Sequence, residues 1–358
     1  MRHTATARMP LLAALAVAVT ICAGILSVPA DRALATLERP LEGFGATTSG
    51  GSGGESYVVT SLADSGPGTL RDALGASDRS VSFAVGGTIE LQSTIRVTGA
   101  NITIDGSTAP PPGVTITAAH SGVSGALLEF RGAHDIIVRH LRITDAQDDN
   151  LRIYIDAYNI VVDHCSVRRA GDGNLDISDG AHDITVQWSI LADNDRNSLI
   201  RTDLYNISLH HNLYANGYER NPQLDDSVFV DMVNNVVYGW GGNYGARIRN
   251  GSSANVVKNY FVPGPGSDPS DALVLEPDAG PVYLEGNVLP SSCGTSGTTG
   301  TLHEAPEVTE LSADDALLAV LEEAGAFPRD ADDQQYVEEV SASPVESTSW
   351  GQIKAWFR

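Results

Sequence analysis

Tyr205–Asp225 reads YNISLHHNLYANGYERNPQLD. Its opening half, YNISLHHNLY, is one of a series. The others are NITIDG from Asn101, HDIIVRHLRI from His134, YNIVVDHCSV from Tyr158, HDITVQWSIL from His182, VFVDMVNNVVY from Val228, SANVVKNYF from Ser253 and PVYLEGNVL from Pro281. Ile136, Ile160, Ile184 and Ile207 stand 24, 24 and 23 residues apart, and Asn212, Asn235, Asn259 and Asn287 continue at 23, 24 and 28. A β-rich segment at such a period marks a solenoid, whose coils bury their apolar faces only by stacking. Leucine-rich repeats share this range of periods, but their leucine consensus is missing and no helix fits between the segments. What remains is an all-β parallel β-helix solenoid, with coils about 4.8 Å apart.

Two recurring columns read as structural. Stacked Asn residues tolerate left-handed turns and bond amide to amide, so Asn212, Asn235, Asn259 and Asn287 predict a ladder. One position earlier, His140, His164 and His211 recur with Trp188 in register. Since that series continues as Asn234 and Lys258, it reads as stacked polar residues in preference to a metal site.

Composition agrees and excludes some functions. The chain has 36 Gly and 3 Met in 358 residues, which suits many short strands joined by turns. A balance of 22 basic against 45 acidic residues, net −23, argues against nucleic acid, whose phosphates need Lys and Arg. The same charge would repel a polyanionic sugar unless a cation bridges the two. Beyond Cys22 there are only Cys165 and Cys293, so no disulfide framework is expected, and Cys165 reads as a core residue.

Arg2, His3 and Arg8 precede an apolar run, Leu11–Val28, and the small-x-small site Ala33-Leu34-Ala35. Residues 1–35 thus read as a secretory signal cut before Thr36, which implies a secreted, extracellular chain without stable membrane insertion. The alternative is an uncleaved anchor, because the run approaches the ~20 residues needed to span a membrane. Residues 36–291 form the β-helix and 292–304 a linker. Residues 305–358 are a short C-terminal helix, over Ser312–Ala324, and a tail that packs on the solenoid. Short elements precede the repeats: a strand at Tyr57–Thr60, a helix at Leu70–Leu74, and strands at Ser80–Val85 and Thr88–Leu91.

A period turns spacing into geometry. Asp149, Asp172, Arg196 and Arg220 are 23, 24 and 24 residues apart, which predicts two carboxylates and two guanidinium groups in one column outside the strands, with Asp176 nearby. Two carboxylates one coil apart repel by roughly 3–4 kcal/mol at an effective dielectric of 20. Calcium, which takes six to eight hard oxygen ligands, would relieve this. So would a ladder of ion pairs in which Arg196 holds Asp172, and spacing alone does not choose between them.

From about Leu41 to Pro290 the chain resembles extracellular pectate lyases of polysaccharide lyase family 1. The resemblance rests on GFGATTSGGSGGESYVVTSLADSGPGTLRDAL, VGGTIEL, NIVVDHCSV, DGNLDIS, ITVQWSIL, ISLHHNLYANGYERNP and NNVVYGWG, with PRDADDQQYVEEV in the tail. It implies a right-handed parallel β-helix that binds Ca2+ and cleaves polygalacturonate or pectin by β-elimination, acting as a monomer. By position, Asp149, Asp172 and Asp176 match calcium ligands. Arg196 matches the substrate-binding Lys, and Arg220 the catalytic Arg that takes the proton from C5. Two places depart from the family pattern. Gln147 stands where an Asp is common, and Asp225 where a second Arg follows the catalytic one. Asp225 and Arg247 join Arg196 as substrate-binding candidates, Arg247 as the source of the missing charge. A guanidinium must lose its proton to act as a base, so the resemblance also implies an alkaline optimum.

Two other functions fit the scaffold. A polygalacturonase is faintly suggested by Asp148-Asp149 and Arg247-Ile248-Arg249, without the accompanying Gly-His-Gly or Asn-Thr-Asp. A polysaccharide-binding β-helix without activity is suggested by Gln147 and Asp225.

Overall fold

A computed structural model describes residues 39–294 and 299–343. The signal-like run and the tail beyond 343 lie outside the described residues. No described helix is long and apolar enough to cross a membrane.

The repeats form the expected parallel β-helix. One ten-stranded sheet takes a strand from each coil, in chain order from Glu55–Val59 to Val282–Glu285. Its register confirms the period, because Ile102, Ile136, Ile160, Ile184, Ile207 and Val230 pair strand to strand. Each of these side chains is fully buried, as are Ile104, Val138, Val162, Val186 and Leu209 two residues on. Alternation sends these residues inward and their neighbours outward. A second group of fifteen strands makes the other walls. The long strand Ile190–Arg201 joins them by turning a corner. Its first half pairs with Ser166–Arg168 and Leu213–Glu219, and its second half with Gly173–Ser178 and Gln223–Asp225.

The Asn column is the ladder that the spacing predicts. Asn212 donates to Asn235 at 3.0 Å, Asn235 to Asn259 at 3.0 Å and Asn259 to Asn287 at 3.1 Å. Beside it, His140, His164, Trp188 and His211 stack ring on ring, with centroids 5.0, 6.1 and 4.2 Å apart. Cys165 is buried in the core and unpaired.

Among the described residues, three short α-helices accompany the strands: α1 (Leu70–Ala73), α2 (Ala313–Glu323) and α3 (Ala331–Ala342). Ser312 caps α2 by accepting from the Asp315 amide, as its sequence suggests. Leu317, Val320 and Leu321 of α2 pack with Tyr336, Val337 and Val340 of α3 on Ile190, Leu213, Val236 and Tyr260. Asp330 caps α3, and Asp333 of its first turn meets the Arg168 guanidinium at 2.9 Å. Within the stretch read as a linker, the Thr299 amide bonds to the Val282 carbonyl and the His303 amide to Asn255.

Buried histidines make the fold acid-sensitive. Burial pulls His140 and His210 down to about 4 from their ordinary 6.5. The unfolded chain therefore binds protons near pH 6.5 that the folded chain refuses until about pH 4. The stability they contribute is complete above pH 6.5 and is lost as pH falls toward 4, by about 3 kcal/mol per histidine. Urea unfolding at about pH 7 and 4.5 checks this, and a His210→Gln variant is expected to show a flatter dependence.

Candidate functional site

The corner of the coil is held by a second amide ladder. Asn150 donates to Asn174 at 2.9 Å, Asn174 to Asn197 at 2.8 Å and Asn197 to Asn221 at 2.9 Å. All four are buried. The ladder fixes the residue that precedes each amide: Asp149, Gly173, Arg196 and Arg220. Gly173, not Asp172, stands in that file, and Asp172 lies one residue earlier. The sequence column is corrected by one position there. Its spacings do not reveal at which residue a coil of 24 shortens to 23.

Arg220 is placed by a further irregularity. Arg196 pairs with Glu219, a separation of 23, whereas Leu199 pairs with Gln223, a separation of 24. The extra residue is Arg220, in the left-handed region at φ 63°. An added residue of this kind bends a strand and re-aims a side chain, at a cost of about 1–2 kcal/mol for a residue other than glycine.

Four carboxylates meet at this corner. Asp148, Asp149 and Asp172 each offer an oxygen, all within 4.8 Å of one another. Asp149 is fully buried and accepts from the Gly173 amide at 2.8 Å and from Arg152 Nε at 2.8 Å. Arg152 also reaches Asp148, at 3.5 Å. Asp176 accepts from the Leu199 amide at 3.0 Å. Burial, and then the charge of Asp149, push its carboxyl up to about 7. Burial also raises Asp149 against the pull of Arg152. A side chain at Gly173 would fill the space between them, since its Cβ would lie 2.4 Å from Asp176 Oδ1 and 3.0 Å from Asp149 Oδ1. This crowd of hard oxygens, short of positive charge, suits Ca2+.

The two guanidinium groups flank Glu219. Arg196 Nη1 lies 2.8 Å from Asp172, so the pair anticipated as an alternative to calcium is formed. Both partners are exposed, and such a pair contributes little stability. Glu219 Oε1 lies 4.0 Å from Arg196 Nε and 3.8 Å from Arg220 Nε, and Arg220 Nε is buried without a hydrogen-bond partner.

Asp149, Asp172, Asp176, Arg196 and Arg220 are thus brought together. Asp225 and Arg247 lie on the next two strands of the same sheet, Gln223–Asp225 and Ala246–Ile248, each already engaged. Asp225 is held by Arg249 at 3.0 Å, Gln223 at 3.1 Å and Asn250 at 2.6 Å. Arg247 pairs with Glu276 and lies over the Tyr244 ring at 5.1 Å.

A protein named "Probable pectate lyase C" from Aspergillus flavus is 36% identical over 332 residues, covering 84% of this chain and 76% of the relative. The chain belongs to the pectate lyase family. A relative of the same name from Aspergillus terreus is 39% identical over 236 residues, covering 63% of this chain and 54% of its own length, so the chain spans about half of several of the curated relatives it matches. No family model matches. A crystal structure of a pectate lyase from Bacillus sp. N165 in complex with trigalacturonate superposes with a TM-score of 0.61 at 20% identity. That match covers 80% of this chain and 98% of the other, and supports the fold.

Within this pectate lyase family member, the sequence reading passed over Arg152, Glu219 and Arg201. Arg201 is exposed, has no ion-pair partner among the described residues, and is in register with Asp225. The second amide ladder was visible as Asn150, Asn174, Asn197 and Asn221 at 24, 23 and 24. For Arg152 no sequence signal exists, because its contacts depend on how the turn at Asp148-Asp149 folds back.

Proposed function

We propose that the chain is a calcium-dependent pectate lyase that cleaves polygalacturonate by β-elimination. The observation that carries this reading is the meeting at one corner of Asp148, Asp149 and Asp172 with Arg196 and Arg220. Asp149, Asp172 and Asp176, joined by Asp148, are the residues that would hold Ca2+. Bound there, the ion supplies the positive charge that joins an acidic site to a uronate carboxylate and acidifies the neighbouring C5 proton. Arg196 holds the substrate from the exposed side of the corner. Arg220 takes the proton from C5, and the electron pair left behind forms a C4–C5 double bond and expels the glycosidic oxygen at C4, which takes up a proton as it leaves. No water is added.

Arg247 and Asp225 bear on substrate through the ion pairs that close them. Arg201 supplies the free charge on that sheet, so Arg201→Ala is expected to raise KM for polygalacturonate about ten-fold with little change in kcat, as measured by steady-state kinetics.

Mass spectrometry of the products tests the reaction class. Elimination gives fragments lighter by one water than hydrolysis does. Hydrolytic fragments would favour the polygalacturonase alternative, and bound but uncut polymer the binding alternative. The rate is expected to rise into the alkaline range, because Arg220 must be free of its proton to act. A maximum below about pH 6, under the ordinary range of any basic side chain but His, would contradict a guanidinium base.

A further inference from the structure

Next to the candidate site, an open groove of about 480 Å3 runs across the strand Leu213–Glu219, lined also by Asp193–Asp195 on one side and by Gly239 and Gly241 on the other. Tyr218 stands in it, two residues before Arg220. Its side chain is 49% exposed, although the tyrosines of the surrounding walls, Tyr214, Tyr238 and Tyr260, are buried. The ring is backed by Gly241 and Gly242. A Cβ on Gly241 would lie 2.2 Å from Tyr218 Cδ2, and one on Gly242 would lie 2.2 Å from its hydroxyl. The absence of side chains there lets the backbone press against the ring and hold it, and its exposed part faces solvent.

Polar groups surround the ring. Asn194 pairs with Gly217 and Arg196 with Glu219, which sets Asp195 directly beside Tyr218 on the neighbouring strand. Asp195 is exposed and, like the Tyr218 hydroxyl, makes no hydrogen bond among the described residues, although its charge acts on the adjacent Arg196. Asp193 and Asn216 line the same groove. Its one cation, Arg169, is bound to Asp145 at 3.0 Å and to Asp332 at 2.7 Å.

We infer that this groove is a subsite for an uncharged pyranose ring. The CH face of a sugar is electropositive and packs on the electron-rich face of an aromatic ring. A neighbouring carboxylate and amides accept and donate to its hydroxyls. Asp195 and Asp193, the latter accepting from the Tyr336 hydroxyl at 3.4 Å, leave the groove net negative once the guanidinium is neutralised, and so repel a uronate. The occupant is therefore a sugar without charge, either a methyl-esterified uronate of the main chain or a neutral sugar on a branch. The subsite deepens the lyase reading by giving it a preference among pectins, but its ligand chemistry stands on the groove alone.

The test uses the full chain in the presence of a chelator, so that it does not depend on lyase activity. Binding of a neutral galacto-oligosaccharide, a fully methyl-esterified oligogalacturonate and an unesterified one is measured by calorimetry. The first two are the arms that separate a branch sugar from an esterified residue, and binding of either supports the subsite. Tyr218→Ala is expected to weaken that binding about ten-fold. Gly241→Ala, which keeps the ring but displaces it, is expected to act in the same direction. Arg220→Ala is expected to leave the binding unchanged. Tyr218 is exposed and Gly241 half-buried, and thermal melts check that both variants fold. Binding of the unesterified probe alone, or equal binding by wild type and Tyr218→Ala, overturns the inference. Loss of lyase activity with the neutral binding intact would fault the proposed reaction and not the groove.

Discussion

Arg220→Ala is expected to leave a folded β-helix that no longer eliminates. The rate of unsaturated product from polygalacturonate falls by about 10²–10⁴-fold, the range that a positioned proton-transfer group supplies. Stability should hardly change. The Arg220 Nε is buried without a hydrogen-bond partner, its contact with Glu219 is loose at 3.8 Å, and the ladder that fixes the corner is made by Asn221. What Arg220 contributes to the backbone is a strained left-handed residue, and Ala bears that strain equally. Arg220→Lys separates base strength from position. A Lys ammonium loses its proton about two pH units more readily than a guanidinium, so residual activity in this variant should peak at lower pH than in wild type. If Arg220→Ala retains activity within ten-fold of wild type, another group removes the proton.

The second large effect concerns the carboxylates, and its two arms have opposite signs. Asp149→Asn keeps an oxygen for the Gly173 amide and removes one full charge from the corner. Its affinity for Ca2+ is expected to fall by about ten-fold or more, since such sites are tuned by ligand charge. Arg152→Gln is expected to do the reverse. The Arg152 guanidinium lies against Asp149 and Asp148, so it already offsets part of the charge that a divalent ion would neutralise. Removing it leaves the carboxylates with less competition and tightens the ion. Calorimetric titration with Ca2+, without substrate, reads both arms. Weaker binding in Arg152→Gln would mean that the guanidinium organises the carboxylates and does not compete for them.

The fold was legible because a solenoid converts a one-dimensional period into contacts. Once Ile136, Ile160, Ile184 and Ile207 are aligned, the parallel register follows without knowledge of any turn. Helix α2 was legible from Ser312 and its apolar spacing. Helix α3 was not. Its apolar side chains are few, and it is held by Asp330 and Asp333 against Arg168, a tertiary cluster that no local pattern reports. At the candidate site, spacing brings Asp149, Asp176, Arg196 and Arg220 to one corner and sets Asp172 one position out of file. Asp172 was put in the file that Gly173 occupies, because spacing counts residues without showing where a coil contracts. The amide ladder would have settled it, since each Asn marks the residue before it. Neither Arg152 nor the closure of Asp225 by Arg249 could be read, as both depend on side-chain directions at a turn and across strands.

The corner from Asp148 to Arg220 is proposed to perform a calcium-dependent elimination. Continuous ultraviolet recording of purified protein on polygalacturonate at alkaline pH tests it most directly. Absorbance from the unsaturated product is expected to climb with Ca2+, stop when a chelator is added and resume when Ca2+ is restored in excess. A trace that stays flat while reducing ends accumulate, or one that climbs unchanged through the chelator, would contradict it.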